Sequence, residues 1–582
     1  MNKISRLLFT FTAIVSILNL HAEGWKWYNP MDAGFPVVQN QGWTSEIGNT
    51  YYRLPDRAMG KVRGPVWNLS RHSSGLAIHF YSNAPQIKVR YIVDGELYMR
   101  HMPPTGVSGL DLYGTDQDGK SRRFFGFFNN KGDTIFTRFV NDRMKQFHDK
   151  GYEFQMYLPL YNSVRNLEIG IPDSCSLNFI PVSDERPIVL YGTSIEHGAV
   201  ASRPGMAWAT QVQRALGYPL INLGFSGNGR LEQEMLDFMA EIDARLYILG
   251  CLANLTKSSP AELDSLITNA VTTLRKANDA PIIIFEHPGF SDAPVNSSQQ
   301  EIIDRLNSSA KKTFAKLQAE GVENIYYITR EELGIPEEGW VDDVHPSDLG
   351  MTAMAKAVEK VAREALKIPV GTIPTAIPVT QRREAAGYEW KERHNAILER
   401  NRVNPPKAVI IGNSITHFWG GEPTGHVING KKIWDKKLAP AGFGNLGFGW
   451  DRIENALWRV YHGELDGYDA EQVVIMLGTN NLGYNSTDEI SEGLRFLIRA
   501  IRERQPNAKI KMVGILPRYN DHALVNEVNS KIEKMAGEEG CIYLNPGVKL
   551  LNEDGSLNET LFTDRLHPNE KGYARIVDDI LK

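Results

Sequence analysis

Cysteine is scarce in this chain. Cys175, Cys251 and Cys541 are the only three among 582 residues, far apart and odd in number. They form no disulfide framework and no metal-ligand cluster, so each reads as a small core residue. Net charge is also small, at −5, which excludes a strongly basic chain and gives no reason to expect nucleic acid or an anionic membrane surface as a partner. Long apolar runs are missing beyond the first twenty residues, so no later segment is expected to span a bilayer. The early run has the form of a secretory signal peptide. Lys3 and Arg6 lead it, Leu7 to Leu20 is apolar but broken by Thr10, Thr12, Ser16 and Asn19, and Leu20-His21-Ala22 offers a cleavage site. Residues 1–22 are therefore expected to export the protein to the periplasm or beyond, without a lipid anchor, since no cysteine follows closely.

What remains is ordinary globular composition, 42% hydrophobic and 23% charged, in a chain too long for one core. Residues 23–182 read as a β-sandwich or jelly-roll domain. Ile87, Val89, Tyr91 and Val93 alternate with polar neighbours, and Asp94-Gly95 predicts a hairpin turn into Glu96-Leu97-Tyr98-Met99. From about 183 the rhythm becomes strand and helix. Ile188 to Tyr191, Leu220-Ile221, Leu246 to Leu249, Ile282 to Phe285 and Ile325 to Ile328 are short buried-strand runs. Ser259-Pro260-Ala261-Glu262 combines an N-cap, a first-turn proline and a capping-box glutamate. Residues 183–368 thus form one α/β domain with a parallel sheet. Residues 369–388, with Pro369, Pro374 and Pro378 and little periodicity, read as a linker. Residues 389–582 form a second α/β domain.

The chemistry lies in a duplicated pattern. Val409-Ile410-Ile411-Gly412-Asn413-Ser414-Ile415 is a buried strand, a tight turn and a helix start, which sets a serine at the carboxyl end of a strand. Asp564-Arg565-Leu566-His567-Pro568 follows, with His567 at 153 positions beyond Ser414. Earlier, Ile188-Val189-Leu190-Tyr191-Gly192-Thr193-Ser194-Ile195 and Asp342-Asp343-Val344-His345-Pro346 repeat the pattern, with a spacing of 151. Two copies at near-equal spacing point to a serine nucleophile, a histidine base and an orienting aspartate in each domain: Ser194, His345, Asp342 and Ser414, His567, Asp564. Asn254 and Asn480 stand just beyond the third strand of each domain. They are candidate oxyanion donors, with a backbone N–H at Gly227 and one from the loop Gly447-Phe448-Gly449-Trp450, each after the second strand. No position has metal-ligand spacing.

These residues carry a resemblance. Both domains resemble SGNH hydrolases of the GDSL lipase/acylhydrolase superfamily, through the Ser, Gly, Asn and Asp-x-x-His blocks. The second is similar to the α subunits of the intracellular platelet-activating-factor acetylhydrolases, in Gly412-Asn413-Ser414, Asn445 to Arg459, His462-Gly463-Glu464-Leu465 and Gly478-Thr479-Asn480-Asn481. The first resembles a branch with a Gly-Thr-Ser-Ile nucleophile block and an N-terminal β domain bearing a Gly-x-Asp-Leu-Tyr motif, here Gly109-Leu110-Asp111-Leu112-Tyr113. The resemblance implies two three-layer α/β/α domains with flavodoxin-like sheets, no metal, no cofactor and hydrolysis of small acyl esters. Asn413 and Thr193 replace the usual Asp before the serine, and Trp450 stands where the family has its oxyanion glycine.

The expected function is a secreted serine esterase with two active sites. Its substrates would be O-acetyl esters, foremost on carbohydrates. The alternatives are other small acyl or lipid esters, and a glycan-binding protein with one active unit. The aromatic residues Phe418, Trp419, Phe448 and Trp450 are expected near the second serine. The polar Glu196, His197, Ser226, Asn228 and Arg230 are expected near the first.

Overall fold

A computed structural model describes residues 24–141 and 151–582. The expected signal peptide, residues 1–22, lies outside the described residues. Among those described, no helix is long and apolar enough to cross a membrane.

The N-terminal region consists of two antiparallel sheets. One runs in the order Trp25–Tyr28, Val164–Pro172, Gln86–Val93, Thr134–Val140, Gly126–Lys131. The other runs Leu177–Phe179, Ala77–Ser82, Tyr152–Tyr157, Asp111–Thr115, Ser121–Phe124, with Val38–Gln39 beside Ala77–Ser82. A core of Ile78, Phe80, Val89, Tyr91, Leu112, Phe154 and Ile169 draws on both sheets, as period-two alternation requires when one face of each is buried. The expected hairpin at Asp94-Gly95 does not form. Gln86–Val93 already pairs with Val164–Pro172 on one side and Thr134–Val140 on the other, leaving no open edge for residues 96–99.

Two five-stranded parallel sheets follow, and their topologies match. The first comprises Ile188–Gly192, Leu220–Gly224, Leu246–Gly250, Ile282–Phe285 and Ile325–Ile328; the second comprises Ala408–Gly412, Phe443–Gly447, Gln472–Met476, Lys509–Val513 and Ile542–Leu544. In each the second strand lies at one edge beside the first, and the third to fifth follow on the first strand's other side out to the opposite edge, giving the order 2-1-3-4-5 of flavodoxin-like folds. The order reverses beside the first strand, so a crevice opens at its carboxyl end, where Ser194 and Ser414 stand. The capping boxes at Ser259/Glu262 and Ser486/Glu489 start the long helices Pro260–Ala277 and Thr487–Arg504 as their sequences predict.

The α/β units are not beads on a string. One contiguous apolar core runs from Ile188, Trp208 and Val358 in the first to Trp390, Trp458 and Leu494 in the second. Tyr218 donates from its hydroxyl to the Tyr461 carbonyl at 2.7 Å, and buried His462 pairs with Glu185 at 2.8 Å. Residues 369–388, expected as a linker, pack closely against the second unit. Thr375, Ala376, Gln381 and Arg382 are buried, and Thr375 donates to the Glu489 carbonyl. The Asp111 carboxylate of the Gly-x-Asp-Leu-Tyr motif joins the β region to the first unit: it accepts from Arg123, Arg203 and the Gly205 N–H. Among the cysteines, Cys251 is fully buried and Cys175 and Cys541 are half-buried.

Candidate active site

Each serine is the first residue of a one-turn helix, Ser194–His197 or Ser414–His417. Thr193 and Asn413, which stand in place of an aspartate, act as N-caps. Thr193 Oγ1 accepts from the Ile195 N–H at 3.2 Å, and Asn413 Oδ1 accepts from the Ile415 N–H at 2.9 Å. Each turn packs directly on a glycine that ends the second strand. A Cβ at Gly224 would lie 2.3 Å from the His197 nitrogen, and one at Gly447 would lie 2.2 Å from the His417 nitrogen. Only glycine permits that approach.

The Asp-x-x-His segments fold locally for a stated reason. Asp342 Oδ1 accepts the backbone N–H groups of Val344 and His345 at 2.9 and 2.8 Å, and Asp564 Oδ1 accepts those of Leu566 and His567 at 3.1 and 2.8 Å. This side-chain-to-backbone turn holds the carboxylate beneath the ring of the histidine three residues on. Backbone bridges, Trp340 with Pro346 and Phe562 with Pro568, close each loop. His345 Nδ1 is 2.8 Å from Asp342 Oδ2, and its Nε2 is 2.8 Å from Ser194 Oγ. His567 Nδ1 is 2.6 Å from Asp564 Oδ2, and its Nε2 is 2.8 Å from Ser414 Oγ. Both sequence-predicted sets are thus brought together. Burial pushes Asp342 and Asp564 up, but hydrogen bonds from the histidine rings and the backbone outweigh it and hold both below the ordinary carboxylate value.

The oxyanion candidates also coincide. Asn254 Nδ2 donates to the Asn228 carbonyl at 2.5 Å and Asn480 Nδ2 to the Asp451 carbonyl at 3.0 Å, each leaving its second amide hydrogen for a ligand. Gly227 and Trp450 precede those carbonyls and share a left-handed backbone, φ 67° and 63°. Trp450 therefore occupies the conformation that the family's glycine would take. The indole is 51% exposed. Gly449 before it donates its N–H to His417 Nδ1 at 3.1 Å. Burial, with Arg393, His426 and Arg459 nearby, pushes His417 down to about 2, so its ring stays a neutral acceptor. Beneath, buried Asp451 pairs with Arg459 at 2.8 Å, Arg459 with Glu464, and Glu464 with His394.

The surroundings of the serines differ from expectation. Trp419 and Phe448 are core residues, stacked with Tyr573 and packed on Trp390, because they follow buried strand and helix positions. Phe418, with its ring 5.0 Å from that of His567, and Trp450 do line the second site. That cleft measures about 610 Å³ and is bordered by Glu384, Asn480, Tyr484 and Arg518 as well. In the first unit Glu196 and His197 are buried rather than at the site edge. The Glu196 carboxylate folds back onto the Thr193 N–H at 2.6 Å, and His197 stacks on Tyr161 at 4.2 Å. Burial pushes Glu196 up to about 7 against the Thr193 hydrogen bonds.

Two contributors escape sequence reasoning. His101, from the β region, stacks over His345 with ring centroids 5.9 Å apart. Glu384 lies in the supposed linker, and a proline-interrupted stretch carries no periodicity to flag it. His101, Asp342 and His345 offer ligand atoms within 4.8 Å of one another, but Asp342 and His345 already face each other and Ser194.

Comparison with known proteins agrees with this geometry. The GDSL-like lipase/acylhydrolase family matches residues 185–363 and again 410–575, and the N-terminus of SGNH-hydrolase-type esterases matches 25–177. A crystal structure from Bacteroides ovatus described as a GDSL-like lipase is 32% identical, with a TM-score of 0.54, and the alignment covers 60% of this chain and 100% of that one. Platelet-activating factor acetylhydrolase IB subunit alpha1 of Bos taurus is 26% identical over 192 residues, 32% of this chain and 78% of that protein. Subunit alpha2 of Gallus gallus is 26% identical over 210 residues, 35% and 86% respectively. With two parallel-sheet domains, each bearing the family's Ser, Asn and Asp-x-x-His, the chain belongs to the GDSL-like lipase/acylhydrolase family and is an esterase of that type.

Proposed function

We propose that this chain is an exported serine esterase with two working sites, which remove O-acetyl groups from carbohydrates. The observation that carries the two-site reading is the hydrogen-bonded Ser–His–Asp series, found at 2.8 Å from histidine to serine in both units. Serine Oγ attacks the ester carbonyl while histidine Nε2 takes its proton. The Ser N–H, the loop N–H at Gly227 or Trp450 and the Asn254 or Asn480 amide receive the developing oxyanion. Collapse expels the sugar alcohol, which takes the proton from the imidazolium. Water, deprotonated by the same histidine, then cleaves the acetyl-serine and releases acetate. The aspartate holds the tautomer and stabilises the imidazolium.

The acetyl group is supported by relatives named acetylhydrolases. A carbohydrate is supported by the open cleft of the second site, whose rim presents exposed Trp450 and Tyr484, flat apolar faces on which a sugar ring stacks, beside polar Glu384 and Arg518. Export is supported by residues 1–22. Acetate release from a panel of acetylated oligosaccharides tests the substrate. Release from short acyl-lipid esters with none from the glycans would overturn it.

A further inference from the structure

The two oxyanion loops satisfy the same carbonyls from different sources. In the first unit the donors are local: Asn228 Nδ2 reaches the Ser226 carbonyl at 2.8 Å, and Arg230 reaches the Gly227 carbonyl at 3.0 Å. In the second unit they come from a segment some sixty residues upstream. Gln381 Nε2 and Tyr388 Oη donate to the Gly449 carbonyl at 2.8 and 2.9 Å. Arg383 Nη1 donates to the Trp450 carbonyl at 3.0 Å. Gln381 and Trp390 also donate to Asp451 Oδ1, at 3.0 and 2.7 Å. The segment is itself tied down: Arg383 pairs with Asp118 at 2.7 Å, and Arg382 donates to the Gly151 carbonyl, both in the β region.

We propose that residues 381–390 are a brace that positions the oxyanion donor of the second site, by holding Trp450 in its left-handed backbone through the carbonyls on either side. Gln381, Arg383 and Tyr388 are positioning residues for the reaction at Ser414, and the reaction at Ser194 does not use them. The physical need is specific. A residue with a Cβ resists φ near 63°, whereas Gly227 takes φ 67° without that penalty, so the second loop requires more restraint than its own residues supply. Through Asp118 the brace also makes the β region a structural partner of the second site, not only of the first.

This inference rests on the proposed serine esterase chemistry. Its test follows phosphonylation by a fluorophosphonate, with mass spectrometry reading the rate at Ser194 and Ser414 separately in one full-length chain. Tyr388→Phe, Gln381→Ala and Arg383→Ala should each slow labelling of Ser414 by about 10-fold or more, a fraction of the loss on removing a whole oxyanion donor. Ser194 should stay within about twofold of wild type, which also reports that the chain is folded. Arg383→Lys should recover part of its loss. Adding Trp450→Gly to Tyr388→Phe should restore most of the rate, because glycine reaches the required φ unaided. Unchanged Ser414 labelling in all three variants, equal losses at both serines, or no recovery with glycine would each overturn the brace. A wild-type chain labelled at Ser194 but never at Ser414 would instead overturn the esterase reading of the second site, and the brace with it.

Discussion

The two α/β units share strand order, nucleophile turn, Asp-x-x-His loop and asparagine contact, yet they build the oxyanion loop from opposite ends of the same problem. The first puts glycine at the left-handed position and lets its neighbours Asn228 and Arg230 cap the free carbonyls. The second puts a tryptophan there and recruits Gln381, Arg383 and Tyr388 from outside the sheet. Carbonyls beside a bound oxyanion must point away from it and still be satisfied, so the hydrogen bonds persist while their donors change. A permissive residue needs few restraints. A strained one needs many, and here it gains an exposed indole at the cleft mouth. The β region is tied to both units, through Asp111 and Arg203 at the first and Asp118 and Arg383 at the second.

The comparison breaks most decisively at the nucleophiles. Ser194→Ala with Ser414→Ala should lower total ester hydrolysis by about 10³-fold or more, while either alone leaves the other site working. A single variant as inactive as the double would show that one unit carries all activity. Next, Asn254→Ala and Asn480→Ala should each lower kcat about 10² to 10³-fold at their own site with little change in KM, measured with the other serine removed. A change confined to KM or to melting temperature would demote that asparagine to a turn residue.

A pH contrast follows from Glu196, whose place in the second unit is taken by Thr416. Burial raises the folded value of Glu196 from its ordinary 4.5 to about 7, so the native state holds a proton that the unfolded chain releases. Its contribution is fully present below pH 4.5 and is lost as pH rises through 7, by an order of 3 kcal/mol at about 1.4 per unit. Glu196→Gln should flatten that slope in thermal melts followed between pH 4.5 and 8. A slope unchanged by the substitution would mean the carboxyl is ionised throughout. The smallest effect concerns the rim: Tyr484→Ala, at a side chain 71% exposed, should raise KM for an acetylated oligosaccharide a few-fold. That corresponds to about 1 kcal/mol of stacking, and it should leave a small nitrophenyl ester unaffected. Equal effects on both substrates would separate Tyr484 from sugar recognition.

Much of this was legible beforehand because it is local. Buried strands ending in Gly-x-Ser announce themselves by apolar runs and a sharp stop, and Ser259 and Ser486 announce their helices three residues ahead of a glutamate. The Asp-x-x-His loops need only an aspartate and two backbone N–H groups within three residues. Reading failed where position alone had to decide burial. Glu196, His197 and Trp419 follow the serines closely in sequence and Phe448 follows the second strand of its sheet, but the fold carries all four into the core.

The chain by itself therefore determined the parallel sheets, the pairing of each serine with its own histidine 151 or 153 residues on, and the asparagine tips, since each follows from short-range periodicity or turn chemistry. Only the tertiary structure decided that a proline-broken stretch near residue 381 hydrogen-bonds the Gly449 and Trp450 carbonyls, that His101 of the β region overhangs the first histidine, and that one core unites both units. Those contacts join segments tens to hundreds of residues apart. They depend on which surfaces meet after the elements have formed, and no local pattern of residues records that.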